Sequence, residues 1–407
     1  MSVIYHLAIA LYTTLIHVAA LFNGKARAWA EGRKGWENIL ANAFEQGDKV
    51  AWFHAASLGE FEQGRPVIEA FRKKYPDHKI LLTFFSPSGY TQKKDYDGAD
   101  VVMYLPADCH KNAKHFVRKL QPQIAVFIKY EFWFNYLSEL NKANIPTVFI
   151  SALFRKNQLF FKWYGGWFKR RIKAVDHFFL QDEASASLLK EQGIPQYSIS
   201  GDTRFDRVAD ILGNENKDPA VESFCKHSRV LLAGSTWPPD EAILAPAIAK
   251  FGDLKVIIAP HEVSEDRIQQ IIKTFNTSVA RYSGDEPSTW MDKKVLIIDT
   301  IGVLSSIYRY ADIAYIGGAF GTGLHNIQEP AVNGMPVIFG PKYHKFREAV
   351  ELVAIGGAYP VNNEQEFTDV LNTFLNDENK FQLVCSTTKQ YMIDNTGATE
   401  KIMQGLS

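Results

Sequence analysis

The sequence predicts an α/β protein of two doubly wound domains in series, behind an N-terminal membrane-anchor helix. Three observations lead there. The chain has 407 residues, more than one hydrophobic core ordinarily serves. Short, near-continuous apolar runs alternate with helical stretches, the pattern of parallel strands covered on both faces. A polar, turn-rich segment, "GNENKDPAVES" at 213–223, then separates two such series.

Composition narrows the function classes. A hydrophobic share of 46% with 22% charged residues describes a folded chain. Lys plus Arg and Asp plus Glu number 45 each, so no overall field draws the protein to nucleic acid, and any anionic partner must meet a local patch. Cys109, Cys225 and Cys385 are scattered and odd in number, which fits a reducing compartment better than a disulfide framework or a zinc site.

Residues 3–22, "VIYHLAIALYTTLIHVAALF", hold no Asp, Glu, Lys or Arg, and about 20 apolar residues can cross a bilayer. His6, Thr13 and His17 share one helical face, which suits a helix lying in the interface or packed on protein. Lys25, Arg27, Arg33 and Lys34 follow, interleaved with Trp29 and Trp36, the mixture expected at anionic headgroups on the cytoplasmic side. The flanks of a cleaved signal peptide are missing. A buried helix with a solvated basic end is the alternative reading.

Strands are expected at 50–57, 80–86, 101–106, 124–130 and 146–153, with "HFFLQ" adding another. In the second half "RVLLAGST", "KVIIAPHE", "KVLIIDTIG", "IAYIGGAF" and "PVIFGPK" continue the series. The expected organisation is an anchor and basic interfacial segment over 1–35, a first Rossmann-like domain over 36–212 and a linker at 213–223. A second Rossmann-like domain over 224–385 follows, and a closing helix at 386–407 packs back toward the first domain. Sheets of this kind bind ligands beyond their strand C-termini, so the two domains are expected to face a shared cleft.

The most informative stretch of the second half is "YIGGAFGTGLHNIQEPAVNGMPVIFGP", 315–341. A strand runs into Gly317, Gly318, Gly321 and Gly323, and a helix is expected to start near Asn326. Glycines let backbone N–H groups approach a ligand closely, and a helix start adds positive partial charge, so a phosphate suits the turn. Glu329 either caps backbone donors or accepts from sugar hydroxyls. A Walker A loop is excluded, since no Gly-Lys-Ser/Thr follows. Pro260 and His261 in "APHE", Asp299, Thr300 and Gly302 in "DTIGVL", and Ser235 and Thr236 in "AGSTWPPDE" occupy other strand ends. Each is ordinary loop chemistry singly, and together they frame a nucleotide crevice.

In the first half, "HAASLGEF" places Glu60 where a strand gives way to a helix. Ser57 and Glu60 match the S-x-x-E capping box. Alternatively the carboxylate, with a glycine just before it, faces a substrate and acts as a base toward a hydroxyl. "IKYEFWFN" adds Glu131, Trp133 and Asn135, an acid beside aromatics that suits a sugar, although Trp133 and Phe134 are equally plausible in the core. Arg204 in "GDTRFD" can neutralise a phosphate or carboxylate, and Ser86 and Ser88 in "FFSPSGY" offer unspecific polar contacts.

Together these motifs resemble the 3-deoxy-D-manno-octulosonic acid (Kdo) transferases, membrane-anchored glycosyltransferases of the GT-B fold that build the inner core of lipopolysaccharide. The likeness runs over essentially the whole chain, from the anchor and "GRKGW" to the last helix, with "HAASLGE", "GTGLHNIQEPAVNGMPVIFGP" and "DTIGVL" its most specific pieces. It implies inverting transfer of Kdo from CMP-Kdo to a lipid A precursor (lipid IVA) at the cytoplasmic face of the inner membrane. No cofactor and no active-site metal are implied. Glu60 is implied as general base, with Glu131 and Arg204 stabilising the transition state. CMP is implied to contact Pro260 and His261, the turn Ile301, Gly302, Val303 and Leu304, and the run Asn326, Ile327, Gln328 and Glu329.

The chain departs from the family pattern in places. Pro260 is followed directly by His261 where P-R-H is common, so an arginine near the donor is missing. Lys129 replaces an acid and Phe134 a proline in "KYEFWFN", and "SALFR" stands where N-A-R-L-S is common. Two rival functions remain: a UDP-sugar-dependent lipid glycosyltransferase on the same fold, and a non-catalytic, membrane-tethered nucleotide-binding protein.

Overall fold

The structure, a computed structural model, describes residues 2–213, 217–321 and 323–406. The chain forms two compact units, Met1–Arg207 with Thr396–Ser407, and Val208–Asn395.

The first unit is built on a seven-stranded sheet of β1 (Val50–Ala55), β2 (Lys79–Phe84), β3 (Val101–Tyr104), β4 (Ile124–Ile128), β5 (Thr147–Ala152), β6 (His177–Leu180) and β7 (Tyr197–Ile199). Its order is β3-β2-β1-β4-β5-β6-β7, and every pairing is parallel. Alternation along β1 sends Trp52 into one layer with Leu81, Phe127 and Phe149, and Phe53 into the other with Leu82, Val126 and Ile150. Burial on both faces is why these strands carry unbroken apolar runs.

The second unit repeats the plan with β8 (Val230–Thr236), β9 (Lys255–Pro260), β10 (Val279–Arg281), β11 (Val295–Ile297), β12 (Ile313–Ile316), β13 (Val337–Phe339) and β14 (Ala358–Pro360). Its order is β10-β11-β9-β8-β12-β13-β14, again parallel throughout. Two Rossmann-like units in series make this the GT-B type of chain. Strand order reverses direction at β1/β4 in the first sheet and at β8/β12 in the second. Those are the switch points where doubly wound sheets bind ligands.

The boundaries differ in detail from the sequence expectation. The change of unit, at Arg207/Val208, falls inside the helix Thr203–Gly213. Residues 214–216 of the expected linker lie outside the described residues, and its later part is the helix Pro219–Cys225. Asp218 starts that helix by accepting from the N–H groups of Ala220 and Val221, with proline at the first position. The expected closing helix is two helices. Glu378–Asn395 stays with the second unit, and only Ala398–Gly405 returns to the first. There the Asp206 carboxylate accepts from the N–H groups of Gly397 and Thr399, and Ile402 joins the core.

The N-terminal helix Ser2–Ala19 is long and apolar enough to cross a membrane, with a mean hydropathy of 1.5 and no buried residue. One edge of it is tied to the first unit. Tyr5 donates its hydroxyl to Asp108 and packs on Phe134 and Trp167, His6 Nε2 is 2.9 Å from Asn135 Oδ1, and Tyr12 stacks on Phe85. The basic segment that follows is only partly a surface feature. Trp29, Arg33 and Trp36 are buried, so Arg33 is not free to meet headgroups. Its guanidinium lies 3.8 Å from the Trp29 ring centre and donates to the carbonyls of Trp29, Phe85 and Leu105. An arginine that donates to three backbone carbonyls from separate parts of the chain becomes a structural cross-link. Lys25, Arg27 and Lys34 stay exposed.

Candidate active site

In the first unit the site forms where β1 and β4 end, at the switch point. The helix Leu58–Lys74 begins just after β1, with Ser57 as its N-cap residue, yet no side-chain cap bond is made. Ser57 instead donates its hydroxyl to the Glu60 carboxylate, so the capping box suggested by the sequence does not form. Glu60 is 8% exposed, held in a chosen rotamer by a neutral donor rather than neutralised by a cation at bonding distance.

Beyond β4, Lys129 has a left-handed backbone, with φ 70°, which a lysine adopts only under constraint. That turn brings Lys129, Tyr130 and Glu131 beside Glu60. Burial, with help from the negative charge of Glu60, pushes the Glu131 carboxyl up to about 8, while Lys129 acts against the rise. Burial lowers the Lys129 ammonium, and Glu60 opposes that shift. Arg204 donates through Nε and Nη2 to Asp202 at 2.9 and 2.7 Å, and its charge is felt at Lys129. Glu60, Glu131 and Arg204 are therefore brought to one place, with Lys129 and Asp202 as members the sequence reading left without a role.

Trp133 sits beside this cluster and is not plain core. It stacks on Phe85 with ring centres 4.5 Å apart and donates its indole N–H to His54 Nε2 at 2.8 Å. Indole is a donor only, so the His54 proton resides on Nδ1 and goes to Thr83 Oγ1 at 2.9 Å, which also accepts from Trp52. Phe134 is buried in the core. Asn135 does not reach the site, because its amide is spent on Asp108 and His6. Ser86 caps the helix Pro87–Lys93.

In the second unit the turns after β8, β9, β11 and β12 carry the expected groups. Gly317 and Gly318 fit a place no side chain would: a Cβ would lie 2.3 Å from Ser235 O at Gly317 and 2.3 Å from Gly323 O at Gly318. Asp240 holds the turn by accepting from the N–H groups of Trp237 and Gly318 and from the Tyr315 hydroxyl. Thr236 is not open to a ligand, since its hydroxyl goes to Glu241 at 2.7 Å, and Asp299 is occupied by Arg281 and Ser283. Ile301 is 83% exposed and Gly302 left-handed at φ 92°, so the Ile301–Leu304 turn starts at the surface.

The helix expected near Asn326 begins at Gln328, with Asn326 accepting from its N–H. Glu329 caps no backbone donor. It accepts from Ser305 Oγ at 2.9 Å and Asn326 Nδ2 at 3.0 Å, which joins the Ile301–Leu304 turn to the Asn326–Glu329 run. His261 is exposed just after β9 and stacks on both Trp237 and His325, which are joined to each other by a bond from Trp237 Nε1–H to His325 Nε2 at 3.1 Å. Neither Trp237 nor His325 was singled out from sequence, although both lie inside the motifs that were.

Residues 31–207 match the family model described as 3-deoxy-D-manno-octulosonic-acid transferase (kdotransferase). The Kdo transferase of Chlamydophila psittaci is 27% identical over 81% of this chain and 77% of its own length. That of Haemophilus influenzae is 26% identical over 86% and 85%. Residues 31–207 thus carry a Kdo transferase domain, and the likeness to Kdo transferases extends over most of the chain. These likenesses support a glycosyltransferase, and the acid-bearing switch point of the first unit falls within the matched residues. Among solved structures, UDP-GlcNAc 2-epimerase from Neisseria meningitidis aligns over 88% of this chain and 99% of its own at a TM-score of 0.62 and 17% identity, a likeness of fold alone. The departures at Lys129 and after Pro260 fall in the turn after β4 of the first unit and the turn after β9 of the second.

Proposed function

We propose that the chain transfers Kdo from CMP-Kdo to a lipid A precursor (lipid IVA), with inversion and without a resident metal or cofactor, at the cytoplasmic face of the inner membrane. The observation that carries this reading is the Glu60 carboxylate, turned away from its helix cap and placed beside Glu131 at the switch point of a Kdo transferase domain.

The chemistry follows from the groups available. An acceptor hydroxyl attacks the anomeric carbon as CMP departs, and its proton passes to Glu60, which the Ser57 hydroxyl orients. Glu131 and the Asp202-bound Arg204 stabilise the oxocarbenium-like transition state. On the donor side, Pro260, His261, the Ile301–Leu304 turn and the Asn326–Glu329 run bind CMP, with the Gly317–Gly318 backbone supplying close approach for phosphate. The apolar helix Ser2–Ala19 keeps the enzyme beside a lipid-borne acceptor, turning a volume search into a local one.

The test is incubation of the purified full chain with CMP-Kdo and lipid A precursor, followed by mass analysis of the lipid. Gain of one or more Kdo units is expected. Transfer from a UDP-sugar instead, or binding of CMP with no turnover of any activated sugar, would replace this reading with one of the rivals.

A further inference from the structure

Glu60 and Arg204 are held through their own side chains, the first by the Ser57 hydroxyl and the second by Asp202. Glu131 is not. Its carboxylate makes no hydrogen bond or ion pair among the described residues, so its place is set by the backbone that carries it. That backbone runs directly into the helix Phe134–Lys142, which has no cap of its own, because Trp133 at the N-cap position makes no side-chain cap bond. The orphan donors are met from elsewhere in the chain. The carboxylate of the buried Asp108 accepts from the N–H groups of Asn135 and Tyr136, each at 3.1 Å, and its backbone carbonyl accepts from Asn135 Nδ2 at 2.6 Å.

The N-terminal helix Ser2–Ala19 reaches every one of these supports. Tyr5 donates its hydroxyl to the same Asp108 carboxylate and meets Phe134 edge to face, with ring centres 5.4 Å apart. Asn135 Nδ2 is the donor to Asp108, so Asn135 Oδ1 accepts and His6 Nε2 is the donor to it, at 2.9 Å. Farther along the helix Tyr12 stacks on Phe85, which stacks in turn on Trp133 with ring centres 4.5 Å apart. From the core side His54 accepts from the Trp133 indole. The segment 133–136, which starts two places after Glu131, is therefore clamped between strand β1 and the N-terminal helix.

We propose that the N-terminal helix is a positioning element of the active site, with Tyr5, His6 and Tyr12 the positioning residues that hold the Glu131 turn in place. This rests on the transferase reading given above.

Anchoring makes no use of these contacts. It depends on the residues turned away from the protein, such as Ile4 and Val18, which are 60% and 54% exposed. The two roles also separate kinetically. An anchor shortens the search for a lipid-borne acceptor, so its loss is felt below saturation, as a raised KM. A turn that drifts changes the transition state and lowers kcat at saturation, and a misplacement of about 1 Å can cost on the order of a hundredfold.

The full chain is assayed with CMP-Kdo and lipid A precursor in non-ionic detergent micelles, and amide hydrogen exchange is followed in the peptide covering 131–137. Tyr5→Phe keeps the ring and removes the hydroxyl, whereas Tyr12→Leu breaks the stack on Phe85 and leaves the Asp108 bonds untouched. Each is expected to lower kcat about tenfold with little change in acceptor KM. Each is also expected to quicken exchange at 131–137 ahead of the rest of the first unit. Tyr12→Phe, which keeps a ring to stack, is expected to restore both quantities, and Val18→Lys to leave both as they are in the unaltered chain. Unchanged kcat in both variants, or a change confined to KM, overturns the positioning role and leaves the transferase reading intact. Exchange that quickens evenly over the first unit, with no excess at 131–137, overturns it as well. No turnover of CMP-Kdo by the unaltered chain overturns the transferase reading, while quickened exchange at 131–137 in both variants upholds the grip of the helix on that turn.

Discussion

The indole N–H of Trp133 donates to Nε2 of the buried His54 at 2.8 Å, joining a core strand to the turn that carries Glu131. Burial pushes the His54 imidazole down to about 3, so it remains a neutral acceptor throughout the physiological range. His54→Leu removes the acceptor for Trp133 and one of the two donors to Thr83, which keeps Trp52. Each buried polar group left without a partner costs about 1–3 kcal/mol. Urea unfolding is expected to shift accordingly, with a further loss of activity as the turn loosens, and His54→Gln is expected to recover part of both. Equal unfolding midpoints for His54→Leu and the unaltered chain would remove this bond from the account.

Glu60→Gln keeps the size of the side chain and an acceptor for the Ser57 hydroxyl but cannot take a proton. Turnover is expected to fall by about 10²–10⁴-fold, the usual contribution of a positioned base. CMP affinity is expected to be unchanged, since the groups assigned to CMP all belong to the second unit. Single-turnover assays with CMP calorimetry separate the two effects. Full turnover by this variant would end the base assignment.

Glu131 offers a pH test. A carboxyl whose pKa folding raises holds its proton more tightly in the folded chain than in the unfolded one. Stability is therefore lost as pH climbs from the ordinary glutamate range toward about 8. Glu131→Gln is expected to flatten that slope. Lys129→Met, which removes the cation opposing the rise, is expected to carry the loss to higher pH. Denaturation midpoints between pH 5 and 9 check both, and parallel curves for all three proteins would contradict the assignment.

Gly317→Ala places a Cβ 2.3 Å from Ser235 O and 2.7 Å from Thr236 Cα, backbone atoms at the end of β8 that cannot swing away. A cost of about 1–3 kcal/mol is expected, as for other overpacked sites. Nucleotide binding is expected to weaken more than stability, because the same movement displaces the turns after β8 and β12 that carry Trp237 and His325. Thermal melting with and without CMP gives both quantities, and an alanine variant with normal nucleotide affinity would show that this turn takes no part in binding.

Much of this architecture is readable in the sequence because burial on both faces leaves an unbroken apolar signature. The expected strands at 50–57 and 124–130 contain β1 and β4, and the glycines after β12 mark the turn that only they can make. The strands that escaped, β7, β10 and β14, are three residues each and lie at sheet edges, where one side needs no apolar cover. Arg33 misled for a related reason: a basic residue beside tryptophans reads as interfacial until the carbonyls that receive it are known. Lys129 could be seen but not assigned, since its place beside Glu60 and Glu131 depends on a left-handed backbone.

The N-terminal helix separates two jobs along its faces. Tyr5, His6 and Tyr12 hold it to the first unit, while Leu7, Leu11 and Leu15 are each more than half exposed. Substituting Leu7 and Leu11 together by lysine removes apolar area without touching the tethers. Apolar burial is worth roughly 25 cal/mol per Å², so two leucines withdrawn from a lipid surface are expected to weaken vesicle binding by at least tenfold. The unfolding midpoint is expected to stay where it was. Tyr5→Ala does the reverse, because it deprives the buried Asp108 of a donor and the Phe134–Trp167 aromatic group of a ring, so stability is expected to drop while vesicle binding persists. Flotation with anionic vesicles alongside urea titration distinguishes the faces. A lysine variant that still floats would mean the exposed leucines are not what meets the lipid.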